Sequence, residues 1–103
     1  MSTATISWTL PTTRTDGSTL KPADIQGIEI FDAVNGAAAV QIGETSGPAT
    51  SFITPALAGG THVFTLIVVD TVGDVSAASA PVSLSVPLAA PNPVTNVTAT
   101  LNA

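Results

Sequence analysis

The side chains that could carry out acid–base or nucleophilic chemistry are few and scattered. The 103-residue chain has one histidine, His62, and no cysteine, and its acids are Asp16, Asp24, Glu29, Asp32, Glu44, Asp70 and Asp74. Nucleophilic catalysis would need a serine or threonine beside the one histidine, and no Gly-x-Ser-x-Gly motif occurs. A glycosidase needs two carboxylates across a cleft, whereas Asp70 and Asp74 fall in a predicted bend. We therefore expect no catalytic residues and no enzymatic activity.

Metal and cofactor sites are not expected either. Loop carboxylates such as Asp16, Asp70 and Asp74 could bind calcium, but their spacing matches no EF-hand, and we interpret them as turn residues. His62 has no second histidine and no cysteine to complete a zinc site. The pair Gly59-Gly60 is too short to cradle a phosphate.

Composition excludes several classes of partner. The net charge is −5, and the only cations are Arg14 and Lys21. Nucleic-acid binding requires clustered cations that displace counterions, and anionic membranes attract the same clusters, so neither partner is expected. The most apolar run, residues 64–69, is far too short to cross a bilayer. With 45% hydrophobic and 9% charged residues, the chain has the composition of one folded domain.

The hydrophobic pattern predicts an all-β fold. Short runs rich in β-branched residues alternate with turn signals, and no stretch has a helical period. Asn35-Gly36 predicts a tight turn, and a loop is expected at 43–48. The predicted strands span residues 3–9, 27–31, 38–42, 50–53, 62–70, 81–86 and 94–101.

The order of these strands and their motifs resembles a fibronectin type III domain. The resemblance rests on four motifs: Ile6-Ser7-Trp8-Thr9-Leu10-Pro11; Gly27-Ile28-Glu29-Ile30-Phe31; Thr50-Ser51-Phe52 followed by Leu57 and Gly60-Thr61; and His62 to Asp70 with Gly73, Ser76 and Ser79. It implies an immunoglobulin-like antiparallel sandwich over residues 1–87. The inward phase of the strands then predicts a core in which Trp8 packs with Ile30, Phe64, Leu66 and Val68. Loss of the Trp8 side chain is expected to cost on the order of 3–5 kcal/mol.

Two departures from the family concern the strand at 62–70. His62 occupies the position where the family usually has a tyrosine that bonds across a corner, and we expect a ring nitrogen of His62 to make this bond. The strand is also apolar on both faces. Val63, Ile67 and Val69 on its outer face predict either a surface covered by another chain or a central strand shielded by its neighbours.

The third departure is the position of the first strand. The family begins with a Pro-x-x-Val-type strand before the tryptophan-bearing strand, whereas here such a segment follows the last strand, at 91–101. Residues 88–103 are thus expected to be a proline-containing linker and a C-terminal strand. To pair with its own domain, the C-terminal strand would have to return along the height of the sandwich. This return would use nearly the full reach of the linker, about 25–27 Å. We expect Val94, Val97 and Leu101 to bind another polypeptide, with a disordered tail or a self-paired strand as alternatives.

These features predict a structural or binding protein. The resemblance suggests a bacteriophage virion accessory protein, a capsid decoration or tail-associated protein, which binds sister subunits or a major virion protein and assembles in the bacterial cytoplasm. Such a role agrees with the lack of a visible signal peptide after Met1. The alternative is a spacer or carbohydrate-associated module of a secreted bacterial enzyme or adhesin.

Overall fold

The computed structural model describes residues 2–102 and contains six strands and one short 3-10 turn. None of the helical structure in this range is long and apolar enough to span a membrane. The elements in chain order are β1 (Thr5–Ser7), a 3-10 turn (Pro22–Asp24), β2 (Ile25–Val34), β3 (Val40–Ser46), β4 (Ser51–Ile53), β5 (Gly60–Asp70) and β6 (Val82–Val86).

The strands form two antiparallel sheets. The larger sheet has the order β3-β2-β5-β6, and the smaller one pairs β1 with β4. In the larger sheet Ile28 of β2 lies opposite Val68 of β5, and Phe64 of β5 lies opposite Val82 of β6. The prediction of an all-β chain built on antiparallel strands is confirmed.

Strand β2 lies at the centre of the core, to which Ile25, Ile28 and Ile30 contribute buried side chains. Ile28 and Ile30 are 1% and 0% exposed, whereas Glu29 between them is turned toward the other face. Gly27 precedes them at a point where the Thr45 carbonyl oxygen of β3 leaves no room for a Cβ. The glycine of this motif therefore permits the close pairing of β2 and β3.

Side chains of the two sheets pack against each other, an arrangement compatible with a β-sandwich. Ile6, Trp8 and Phe52 from the small sheet contact the buried cluster that Ile28 and Ile30 form with Leu20 and Ile25. The Phe52 ring lies so close to β3 that a Cβ on Gly43 would be 2.5 Å from its Cζ. Burial of these apolar side chains between the sheets is the main stabilising contribution.

The turn at Asn35-Gly36 is confirmed. Both residues have positive φ, 51° and 80°, and the Ala37 N–H donates to the Val34 carbonyl at 3.0 Å. Asparagine and glycine tolerate this left-handed backbone better than other residues, which is why the pair marks the turn.

All six strands differ from the sequence-based expectation in at least one boundary; β2, for example, ends at Val34 and not at residue 31. The prediction of a loop at 43–48 is wrong. Strand β3 continues to Ser46, which pairs with Gly27 of β2. Strand β1 is shorter than predicted, although its pairing continues beyond both ends. The Trp8 N–H donates to the Thr50 carbonyl at 3.0 Å, and the Thr54 N–H donates to the Ala4 carbonyl at 2.8 Å.

The strand predicted at 94–101 is not formed within the single chain. Every residue from 87 to 102 is exposed, and Val97 and Leu101 are 77% and 95% exposed. The Cα extents are 85 × 20 × 18 Å, whereas the eleven residues of β5 span only about 35 Å. The remaining length matches an extended tail that continues the long axis of the two sheets. The predicted strand is absent because this tail has no neighbouring backbone to pair with.

Replacing Trp8 with Ala should lower the free energy of unfolding by about 2–4 kcal/mol. This is less than the sequence alone predicts, because Trp8 is only partly buried. The matched variant Trp8→Phe keeps most of the packing and loses one hydrogen bond, so it should cost about 1 kcal/mol. Urea denaturation followed by circular dichroism measures both values. Equal losses for the two variants would contradict the packing role of the indole.

Candidate functional site: an uncovered groove beside β1

A groove runs along the free side of β1. It has a volume of about 460 Å³ and lies between β1, the inner face of β5 and the segment 76–82. Its apolar lining includes Ile6, Trp8, Phe64, Leu66, Val68 and Val82. The Trp8 ring is fixed by a hydrogen bond from its Nε1 to the Ala49 carbonyl at 2.9 Å. The groove is therefore a continuation of the core that opens to solvent.

The backbone of β1 has unpaired groups on the side of the groove. Ala4, Ile6 and Trp8 direct their N–H and C=O groups toward β4, as the hydrogen bonds of Ala4 and Trp8 show. Alternate residues of a strand direct these groups to opposite sides, so Thr5 and Ser7 direct theirs away from β4. Strand β1 has no pairing partner on that side among the strands of residues 2–102. An additional strand could bond to this edge.

The inner face of β6 is uncovered at the same place. Val82 and Leu84 lie opposite Phe64 and His62 of β5, and directly opposed residues point to the same face of a sheet. Phe64 and His62 are buried, yet Val82 is 60% exposed and Leu84 is 38% exposed. The small sheet has two strands and covers only part of the four-stranded sheet. The groove lies over this uncovered part of the large sheet.

The far wall of the groove is held in place by two serines. The Ser76 and Ser79 hydroxyls accept hydrogen bonds from the backbone N–H groups of Val68 and Leu66, at 2.9 and 3.0 Å. The N–H groups of the two serines donate back to the carbonyls of the same residues. This pairing satisfies the backbone of β5 beyond the end of β6, so the wall is fixed before any partner arrives.

The groove is also free of charge. None of its lining residues is Asp, Glu, Lys or Arg, although the chain has a net charge of −5. A charged segment would lose its hydration on entering such a groove, so an uncharged extended segment is the ligand it can accept at least cost.

The residues predicted to bind a partner do not form one surface. Val63, Ile67 and Val69 are half-buried on the face of β5 that points away from the groove. Strand β5 is flanked by β2 and β6, and this central position accounts for its two apolar faces without a covering chain. Val94, Val97 and Leu101 lie on the exposed tail. A partner role for either set stays a prediction.

The acids expected in turns do lie in a turn. One oxygen of Asp70 accepts the N–H groups of Val72 and Asp74, at 3.0 and 2.8 Å, and the other is 2.7 Å from the Arg14 guanidinium. The hydrogen bond from Arg14 is the main reason that the pKa of Asp70 is lowered. Within residues 2–102 no group of three or more His, Cys, Asp or Glu side chains converges as a metal site would require.

The corner histidine is part of a buried pair that the sequence analysis missed. His62 Nε2 lies 2.8 Å from the Ala58 carbonyl oxygen, which confirms the predicted corner bond. Its Nδ1 lies 2.7 Å from Asp32 Oδ2. The alternation of β2 carried the signal, because Asp32 has the same inward phase as Ile28 and Ile30. Since both ring nitrogens face acceptors, the doubly protonated ring suits the site, and Ala58 and then Asp32 raise the pKa of His62.

Comparisons with known protein families, with curated proteins and with solved structures found no match to this chain.

The raised pKa of His62 predicts a pH dependence of stability. A folded-state pKa above the unfolded value of 6.5 contributes stability that is fully present below pH 6.5. That contribution is lost as the pH rises through the raised value. The free energy of unfolding, measured by urea denaturation with Trp8 fluorescence, should therefore decline as the pH rises above 6.5.

His62→Gln should flatten this decline, because the chain has no other histidine. At pH 6 it should also destabilise the protein by about 3 kcal/mol, since Asp32 would remain buried without its cation. The α-amino group titrates in the same range, but it is common to both proteins. An unchanged pH dependence in His62→Gln would show that another group is responsible.

Proposed function

We propose that this chain is a non-catalytic structural protein that binds other polypeptides by strand addition, and that it is an accessory component of a bacteriophage virion, on the capsid or on the tail. The observation that carries the proposal is the combination of an unfilled strand position and an exposed apolar tail in one chain. Strand addition satisfies the backbone groups of a free edge and buries alternate side chains of the added strand.

We also propose that the two sheets form an immunoglobulin-like sandwich of the fibronectin type III kind. The facing sheets β3-β2-β5-β6 and β1-β4 support this assignment, as do Trp8 between the layers and the corner bond of His62. In this assignment the unfilled position beside β1 is that of the family's first strand. The domain then spans residues 1–87, and residues 88–103 are a separate binding segment.

The virion setting has indirect support. Small domains of this kind occur on phage heads and tails, and the resemblance suggests the same role here. A sandwich without cysteine needs no oxidising compartment to fold, which suits particles that assemble in the bacterial cytoplasm. The near absence of cations argues against a role in contacting the packaged nucleic acid.

A second function, a spacer module of a secreted bacterial enzyme or adhesin, is favoured by the direction of the tail. The chain leaves β6 through a segment containing Pro87, Pro91 and Pro93 and continues the long axis. Proline-rich segments of this kind act as semi-rigid spacers between domains.

The two functions differ in where the chain is found. Virions purified from cells that carry the gene in its natural genetic context should contain the chain in a fixed ratio to the major capsid or tail protein, measured by quantitative mass spectrometry. A variant lacking residues 91–103 should fold but be depleted from the particles. Recovery of the chain only within a longer secreted polypeptide would overturn the virion proposal in favour of the spacer function.

A further inference from the structure

We infer that the groove beside β1 receives residues 97–101 from the tail of a second copy of this chain, which runs antiparallel to β1 and links the copies head to tail. This inference rests on the proposed function, since it names the partner in strand addition. Four observations support it. They are the end of the domain from which the tail leaves, the alternation of apolar and polar residues in the tail, the absence of charge from both the groove and the tail, and the stiffness of the linker.

The first observation concerns direction. Ser2, just before β1, bridges to Leu57, and Leu57 packs with Val86 at the end of β6. Strand β1 therefore begins at the pole from which the tail leaves. A tail that enters its own groove would have to reverse and run parallel to β1. A tail from a copy stacked on the opposite pole enters beside Thr9 without reversal and runs antiparallel, like every strand pair of this chain.

The second observation is the pattern of the tail. After Asn96, whose φ of 55° makes a bend, Val97, Ala99 and Leu101 share one face, and Thr98 and Thr100 share the other. Strand β1 has the same alternation, with Ala4, Ile6 and Trp8 inward and Thr5, Ser7 and Thr9 outward. An added strand in this phase would place its apolar side chains over the exposed part of the core and its threonines in solvent.

The third observation is charge. Residues 87–103 contain no Asp, Glu, Lys or Arg, so all nine charged side chains lie in residues 1–86. The lining of the groove is equally uncharged. Neither surface would therefore leave an unpaired charge on docking, although two copies that are each acidic are brought together.

The fourth observation is the stiffness of the linker. Leu88 packs against the chain at Gly59 so closely that a Cβ there would be 2.9 Å from the Leu88 Cα. Pro87, Pro91 and Pro93 restrict the linker to extended backbone, and the segment has no glycine with which to reverse. Residues 87–94 can span about 26 Å between the copies. Because this contact is heterologous, it generates a ring or a filament.

Disulfide trapping tests the occupant and its orientation directly, because the chain has no cysteine of its own. Three single variants, Thr5→Cys, Ser7→Cys and Thr9→Cys, are each mixed with Thr98→Cys in the full chain and oxidised. At least one mixture should give a disulfide-linked dimer on a non-reducing gel, well above the level that either variant forms alone. Thr98 is used because it lies on the same outward face as these three edge residues. Each of the three lies within disulfide reach of Thr98 in one possible register of the added strand against β1.

Mixtures of single variants can be crosslinked only between molecules. If none of the three mixtures gives the dimer, whereas a double variant such as Ser7→Cys with Thr98→Cys gives a crosslinked monomer, the tail closes on its own chain and the inference is overturned. If neither crosslink forms while virions still contain the chain, the inference fails and the proposed function stands. If the crosslinked dimer forms but virions do not contain the chain, the inference stands and the virion proposal fails.

A matched pair of tail variants tests the inward phase. Val97→Asp places a charge on the face predicted to be buried, and Thr98→Asp places the same charge on the face predicted to be in solvent. Because both positions are exposed in the single chain, neither change should alter its fold. Sedimentation velocity should show self-association weakened more than roughly 100-fold by Val97→Asp and nearly unchanged by Thr98→Asp. Equal effects of the two variants, or no self-association of the natural chain, would overturn the inference.

Discussion

The unequal width of the two sheets is the constraint on which the rest of the structure depends. Side chains of the small sheet pack over β2, where Ile28 and Ile30 are fully buried. Beside the groove the large sheet is less covered, since Leu66 and Val68 on β5 are half-buried and Val82 on β6 is exposed, whereas Phe64 and Val86 on the same two strands are buried. Covering a valine or leucine of this kind contributes roughly 1.5–3 kcal/mol, so a third strand would add a substantial part of a small domain's stability.

Two ion pairs connect segments of the fold that are distant in sequence. The pair His62–Asp32 joins β5 to β2 near the pole from which the tail leaves. The pair Arg14–Asp70 joins the long loop before β2 to the bend after β5, across 56 positions of sequence. Both pairs lie away from the groove, and each combines the ionic contact with hydrogen bonds to the backbone. One buried and one partly exposed ion pair thus link distant segments of the fold, whereas the lining of the groove contains no charged residue.

Local pattern predicted those parts of the fold that depend on neighbouring residues. The alternation of Ile28 and Ile30 and the Asn35-Gly36 turn are properties of short stretches, and they were correct. Gly43 was misread as a loop residue, because its role depends on the Phe52 ring that lies over it from the other sheet.

The candidate site could be predicted only in outline. The Pro-x-x-Val-type segment at 91–101 indicated a strand that pairs outside the usual place in the family. The exposed inner face of β6 depends on how the sheets overlap, which no local pattern encodes. The partner of His62 was missed for a similar reason: Asp32 has the inward phase of β2, but its pairing with His62 depends on the register between β2 and β5.

The edges of the sheets differ in how they are protected, and this difference favours β1 as the acceptor of a strand. Free edges invite pairing with other chains, and proteins usually protect them with charges, prolines or short length. Strand β3 has Glu44 on its edge, whereas β4 and β6 are each bracketed by prolines, at 48 and 55 and at 81 and 87. From Ser2 to Leu10 there is no charged residue and no proline. Strand β1 is short, but of the four sheet edges described its edge beside the groove is the one that neither a charge nor a proline protects, as expected for an edge that pairs with an added strand.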